Sequence, residues 1–291
     1  MVTVKKKESE KMTKNYNEKI YRITEKQVAG SIEWHCNVTF YNESGKRCNK
    51  AVLMTVKELI EKYDDTSEHN TKVITDFMRS FIVKKMFTRN HRGKMAGKWS
   101  LSTSPLMNTR CMERHLNHIG ICAECFSQKQ LKIQKNSTGI KLARNTMLLT
   151  AILFKSEWVK NIIPLKDFRI ESFADLNNTI QCINYLTLIN GNINTVFGWW
   201  SKNFDILEKV MDCKPNNCNF IYSALKINES FTSQTTPFKR YWFIDKVFTV
   251  WKNEKIAYAH GKNINCGAKD CNKCNICYTK NNIKWVNELL K

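Results

Sequence analysis

Four cysteines stand close together near the end of the chain, at positions 266, 271, 274 and 277 of INCGAKDCNKCNICYTK, in the pattern C-x4-C-x2-C-x2-C. Thiolate sulfur is a soft ligand, and tight spacing lets one short segment present several sulfurs to the same centre. Two chemistries suit such a segment. A structural zinc takes four thiolates in a tetrahedron, usually from two well-separated pairs. Three thiols recurring every third residue, with a fourth just upstream, crowd instead like the runs that hold an iron–sulfur cluster. Cys266, Cys271, Cys274 and Cys277 therefore read as ligands of a cluster or of a compact zinc. A second group, Cys111, Cys122 and Cys125, lies in CMERHLNHIGICAECF. His115 and His118 in the same stretch could complete a zinc site there, or stand as neutral surface histidines. The other five cysteines lack ligand spacing: Cys36 and Cys48 are isolated, Cys182 sits in an apolar helical stretch as core, and Cys213 and Cys218 could pair across a loop.

The compartment decides what twelve cysteines mean. MVTVKKKESEKMTKNYNEK carries charge with no apolar run behind it, which argues against a secretory signal and for the cytoplasm. Cytosolic thiols are kept reduced, so clustered cysteines there point to metal rather than to bridges. The longest apolar stretch, MLLTAILF at 147–154, is broken by Thr150 and falls far short of a membrane span. Lys and Arg number 47 against 26 Asp and Glu, a net charge of +21 that would draw the protein to a polyanion, with nucleic acid the natural partner. A Lys-rich, Asn-rich solvated surface explains the same numbers without a partner.

Elements must then bring these residues together. Residues 1–98 read as a basic, mainly helical extension, with amphipathic helices at TVKELIEKYDD and TKVITDFMRSFIVKKMF, followed by the basic loop RNHRGKMAGKW. From residue 99 to 260, strands at KWSLSTSPL, DFRIESFADL, NTVFGWWSKN, NCNFIYSALKIN and DKVFTVWK alternate with helices at LARNTMLLTAILFKSEWV, NTIQCINYLTLI and FDILEKVM. That alternation gives βαβ units and an α/β fold: a partial (β/α) barrel with mostly parallel strands, a helical N-terminal extension, and a cysteine-rich metal-binding segment at 261–291. Sites in such folds gather beyond the C-terminal ends of strands. Adjacent Trp199 and Trp200 must face opposite sides of their strand, and Arg169 is either an inward charge or a surface residue.

A thiol group after the first strand, a run of βα units and a second thiol group at the end resemble the radical S-adenosylmethionine enzymes. The chain more closely resembles the phage gene product eighty-eight family, through CAECF, FRIESFADLNN, FGWWSKN, YSALKIN and CGAKDCNKCNICY, which span about residues 99 to 291. The resemblance implies a 4Fe-4S cluster on Cys111, Cys122 and Cys125 whose open iron takes S-adenosylmethionine, a deoxyadenosyl radical made by one-electron cleavage, and an auxiliary cluster at the C-terminal thiols. Ten residues separate Cys111 from Cys122 where the radical S-adenosylmethionine enzymes usually have three. It also implies that Glu171, Ser172 and Asp175 meet the cofactor's amino group, although Asp175 or Asn177 could instead cap a helix. Ser201, Lys202 and Ser223 would reach cofactor or substrate, or form turns at strand ends together with Asn203. Tyr278 and Trp285 would pack around the second cluster. A nucleic acid or nucleotide is the implied substrate; a zinc-stabilised nucleic-acid-binding protein, or a phage factor that binds a host protein in the host cytoplasm, is the alternative.

Overall fold

The computed structural model describes residues 18–91, 93–133, 137–267 and 270–290. Most of the charged stretch at the start of the chain, residues 1–17, lies outside them. The chain divides into two compact units, one made of residues up to 29 and 34–77, the other of 30–33 and 78–291.

The first unit is not the helical extension that its sequence suggests. Strands β1 (Ile20–Lys26), β2 (His35–Phe40) and β3 (Val52–Thr55) form an antiparallel sheet in chain order. In β2 every second residue is buried, Cys36, Val38 and Phe40 inward with His35, Asn37 and Thr39 between them, the period-2 pattern of a half-buried strand. The amphipathic helices do form. Helix α1 (Val56–Tyr63) starts on a capping box between Thr55 and Glu58, and α2 runs Glu68–Phe81. Desolvation pushes the buried Cys36 thiol up to about 12, as suits a small core residue.

The second unit is built on a seven-stranded sheet: β4 (Thr88–Arg89), β5 (Trp99–Leu101), β6 (Asp167–Ile170), β7 (Val196–Ser201), β8 (Cys218–Ile227), β9 (Lys246–Trp251) and β10 (Trp285–Leu289). The strands lie in chain order, β4 antiparallel to β5 and the rest parallel, and the sheet is open, with β4 and β10 at its edges. Eleven α-helices occur among the described residues; beyond the two above they are α3 (Thr109–Leu116), α4 (Phe126–Ile133), α5 (Ser137–Leu149), α6 (Ser156–Val159), α7 (Thr179–Asn190), α8 (Phe204–Glu208), α9 (Pro237–Arg240), α10 (Glu254–Ala259) and α11 (Cys271–Cys274). None of them is long and apolar enough to cross a membrane.

Register assigns the two faces. Leu101, Ile170, Trp199 and Phe220 are cross-strand neighbours, as are Phe168, Phe197 and Cys218, and all are buried. Helices cover this face: Tyr185 of α7 meets Trp199 edge-on at 5.4 Å, and Phe204 of α8 meets Phe220 at 6.4 Å. Burying each of these aromatic side chains contributes about 1.5–3 kcal/mol. The alternate residues Arg169, Gly198 and Trp200 point the other way, with Ser223, Phe248 and Val286 on the neighbouring strands. The expected strands β5 to β9 are present, though β5 and β6 stop at Leu101 and Ile170 and leave the buried Ser102–Ser104 and the partly buried Glu171–Asp175 as connections. The helix expected over 142–159 breaks into α5 and α6.

Candidate functional site: a cavity lined by two thiol groups

A cavity of about 580 Å³ lies against the second face of the sheet. All seven thiols of the two groups line it, and so do Glu171, Ser172, Asp175, Ser201, Lys202 and Ser223. Residues far apart in the chain thus converge on a volume within the range of ligand pockets.

The first thiol group rests on long-range bonds. Cys111 lies on α3 rather than in a loop, because Asn108 caps that helix by accepting from the Cys111 backbone N–H at 3.0 Å. Arg110 grips both oxygens of Asp205 at 3.0 and 2.9 Å, and Arg114 donates to Asn203 Oδ1 at 2.6 Å. Cys122 sits in the 3-10 turn Gly120–Glu124, and Cys125 ends it. Gly120 has a φ of +53°, and a Cβ there would stand 2.1 Å from the Leu225 carbonyl oxygen, so glycine lets the turn dock on β8. His115 donates from Nδ1 to the Cys122 carbonyl at 3.0 Å, and neither it nor His118 lines the cavity, which removes both from the ligand set.

The second group is folded locally and clamped from one side. Asp270 caps α11 by accepting from the Asn272 N–H at 2.8 Å; Asn275, left-handed at φ +48°, then reverses the chain so that Cys277 returns to the cavity. The loop before β5 closes over it: the Cys271 N–H donates to Lys94 O at 2.7 Å, and Asn272 Nδ2 to Ala96 O at 2.8 Å. Asn219 Nδ2 donates to Cys277 O at 3.1 Å, and Lys98 Nζ lies 4.2 Å over the Tyr278 ring, which puts Cys277 and Tyr278 beside the starts of the strands. Gly198 makes room for them, since a Cβ there would meet Trp200 at 2.8 Å and Tyr278 at 3.0 Å. Trp285 lies elsewhere, stacked on Phe231 at 5.9 Å, and does not line the cavity.

Polar residues after β6 and β7 hold one another. Glu171, buried and left-handed at φ +52°, accepts from Thr103 Oγ1 at 2.7 Å, Gln181 Nε2 at 2.9 Å and the Tyr185 hydroxyl. Burial nevertheless pushes its carboxyl up to about 7. Asp175 accepts from the Ser201 hydroxyl and from the Lys202 N–H at 3.0 Å, so it bridges β6 to β7 and does not cap a helix. The cap of α7 is Asn178, accepting from the Gln181 N–H at 2.9 Å. Ser172 hydroxyl pairs with Ser102 at 2.8 Å, and Lys202 Nζ donates to Ser223 at 2.9 Å.

Burial raises the thiols, Cys266 to about 11, Cys277 to about 12 and Cys111 further. Cations oppose it: Lys202 and Arg114 beside Cys122, Lys94 and Arg169 beside Cys271. Lys94, Arg114, Arg169 and Glu288 were not singled out as site residues by spacing; the basic loop carrying Lys94 and the ambiguous Arg169 were the available signals. Among the described residues, no three or more His, Cys, Asp or Glu side chains are placed to hold one metal ion. Around the cavity, Asn275 Oδ1 and the Tyr278 hydroxyl are buried without a hydrogen-bond partner, and Arg114 Nη1 has only the Asp175 carboxylate at 3.7 Å. Buried polar atoms are rarely left so, and these fit a site completed by a bound group. The remaining cysteines take no part: Cys182 and Cys218 are buried, Cys213 is exposed, and all twelve are unbridged. No family model, curated protein or solved structure matches the chain.

Proposed function

We propose that the second unit is a partial (β/α) barrel that carries iron–sulfur chemistry of the radical S-adenosylmethionine type. The observation that supports this most is the convergence of both thiol groups on one cavity, beside polar residues at the ends of β6 and β7. Parallel strands in chain order fit this reading: crossovers of the usual right hand would put their connections on one face and let the sheet curl around the other, where the cavity lies. Cys111, Cys122 and Cys125 would hold one cluster, and Cys266, Cys271, Cys274 and Cys277 another. When bound, the cluster and S-adenosylmethionine supply one-electron cleavage and hydrogen-atom abstraction.

The chain's own residues set the conditions. Burial raises Cys111, Cys122, Cys266, Cys271 and Cys277, so ligation at those thiols expels protons, and the neighbouring cations offset the charge of the thiolates that form. Glu171 and Asp175 bind Thr103, Gln181, Ser201 and Lys202 into one bracket that fixes the strand ends. Trp200, Phe248 and Val286 line the cavity with apolar surface that excludes water.

The test is the metal and acid-labile sulfide content of protein purified without oxygen, with its visible spectrum. Iron with sulfide, and reductant-dependent cleavage of S-adenosylmethionine that Cys122→Ala abolishes, is the expected result. Zinc without sulfide overturns the proposal and leaves a zinc-stabilised protein, for which nucleic-acid binding that weakens steeply with salt is the next measurement.

A further inference from the structure

The charges of the cavity do not cancel among themselves. Lys94 is paired with Glu288, and Arg114 with Asp175 at 3.7 Å. Glu171 is turned inward to Thr103, Gln181 and Tyr185. Two cavity-lining cations remain, Arg169 and Lys202, with no carboxylate partner among the described residues. Arg169 stands over Trp200, its guanidinium carbon 4.3 Å from the ring centroid, and donates from Nε to the Glu171 backbone carbonyl at 3.3 Å. Nη1 meets only the Met95 thioether sulfur, at 4.0 Å, and Nη2 has no hydrogen-bond partner among the described residues. Lys202 is held by a single hydroxyl, that of Ser223.

The surroundings carry the same sign. The unit that contains the cavity has 33 Lys and Arg against 15 Asp and Glu, so nearly all of the chain's net charge of +21 belongs to it. A field of that sign concentrates anions at the cavity.

We infer that the cavity takes a phosphoryl-bearing substrate, a nucleotide or the backbone of a nucleic acid, with its phosphate gripped by Arg169 and steadied by Lys202. A guanidinium held over an indole offers a phosphate its two terminal nitrogens, Nη2 free and Nη1 in a weak thioether contact that a charged oxygen displaces. This names the substrate class for the cavity of the preceding proposal, yet binding needs no cluster turnover. The rival explanation is that both cations only balance thiolates, since Arg169 is near Cys271 and Lys202 near Cys122.

The experiment measures binding to the full chain, purified without oxygen, of adenosine monophosphate and of a short labelled single-stranded oligonucleotide at physiological salt. It compares the unaltered chain with Arg169→Ala, Arg169→Lys and Lys202→Met, with iron, sulfide and melting temperature recorded for each. Arg169→Ala should bind roughly 10- to 100-fold more weakly, Arg169→Lys should recover part of the loss because it keeps charge without the fork, and Lys202→Met should lose less than Arg169→Ala. Arg169-dependent binding of both probes identifies a nucleotide phosphate; such binding of the oligonucleotide alone identifies a nucleic-acid backbone. Absence of binding, or binding indifferent to Arg169 in variants that remain folded, overturns the inference. If iron and sulfide are present but the probes do not bind, only this inference fails. If zinc replaces iron and Arg169-dependent binding persists, only the iron–sulfur proposal fails.

Discussion

The two thiol groups reach the same cavity by opposite routes. Cys266, Cys271, Cys274 and Cys277 are gathered by their own segment: a one-turn helix capped by Asp270, a left-handed Asn275, and a 3-10 turn that brings Cys277 back. Cys111, Cys122 and Cys125 are gathered by tertiary structure, through α3 pinned by Arg110 and Arg114 and a turn seated on β8 at Gly120. Closing a local loop costs little chain entropy, whereas long-range positioning must be held by contacts already made elsewhere. A group of the first kind survives in a damaged fold, and one of the second kind fails when its support moves.

Gly120 is where the comparison breaks most visibly. Gly120→Ala puts a methyl into the Leu225 carbonyl and a side chain at positive φ, for a cost of about 2–5 kcal/mol from overpacking and strain. Thermal melting should fall accordingly, and metal analysis should show loss at the first group with the second retained. Equal loss from both groups would mean that they do not assemble independently.

Cys274→Ala and Cys122→Ala sharpen the contrast from the other side. Each should remove the metal of its own group. Cys274→Ala should also destabilise the chain by about 2–3 kcal/mol, because the segment it organises anchors Tyr278 beside Lys98 and Gly198. Cys122→Ala should cost about 1 kcal/mol or less, because hydrogen bonds away from the thiol hold its turn and helix. If Cys122→Ala unfolds the protein as readily as Cys274→Ala, both metals are structural.

The same division separates what was legible in the sequence from what was not. The grouping of Cys266, Cys271, Cys274 and Cys277 is legible from spacing alone, because their placement is local. Trp199 and Trp200 were assigned opposite faces by strand geometry, and they take them, one in the core against Phe220 and the other under Arg169. The sequence marks no helix at TRCMERHL, which buries no residue; α3 is held by ion pairs and a cap that no periodicity reveals. Strand β10 was missed because WVNEL is short and carries Asn287 and Glu288, yet Asn287 bonds Thr249 at 2.6 Å and Glu288 meets Lys94. The N-terminal strands are hard to read because they are short and lack clean alternation, β1 exposing Tyr21 beside Arg22 and β3 exposing Val52 beside Leu53, and the cations that surround the thiols show no pattern until the chain is folded.

Glu171 supplies a smaller effect, read through pH. Its folded carboxyl is raised from an ordinary 4.5 to about 7 by burial, with Asp175 adding in the same direction, so the native state holds a proton that the unfolded chain has released. Its contribution to stability is fully present below about 4.5 and is lost as pH rises to about 7. Glu171→Gln should flatten the melting profile across that window and leave both metal groups loaded, since Glu171 touches Thr103, Gln181 and Tyr185 and no thiol. A wild-type profile that rises through the window would show the carboxyl ionised in the folded state.

The smallest expected effect belongs to Cys213, which is exposed. Its neighbour in sequence, Cys218, opens β8 with no accessible surface, and burial raises that thiol well above its usual range. A pair built from one solvated and one enclosed thiol cannot grip a common ion without breaking the start of β8, where Phe197 pairs with Cys218 in register. Cys213→Ser should therefore shift stability by no more than about 0.5 kcal/mol and leave metal content unchanged, whereas Cys218→Ser puts a hydroxyl into an apolar layer and should cost about 1–3 kcal/mol. Metal lost from Cys213→Ser would require a third ligand group, and the division of the chemistry between two thiol groups would have to be abandoned.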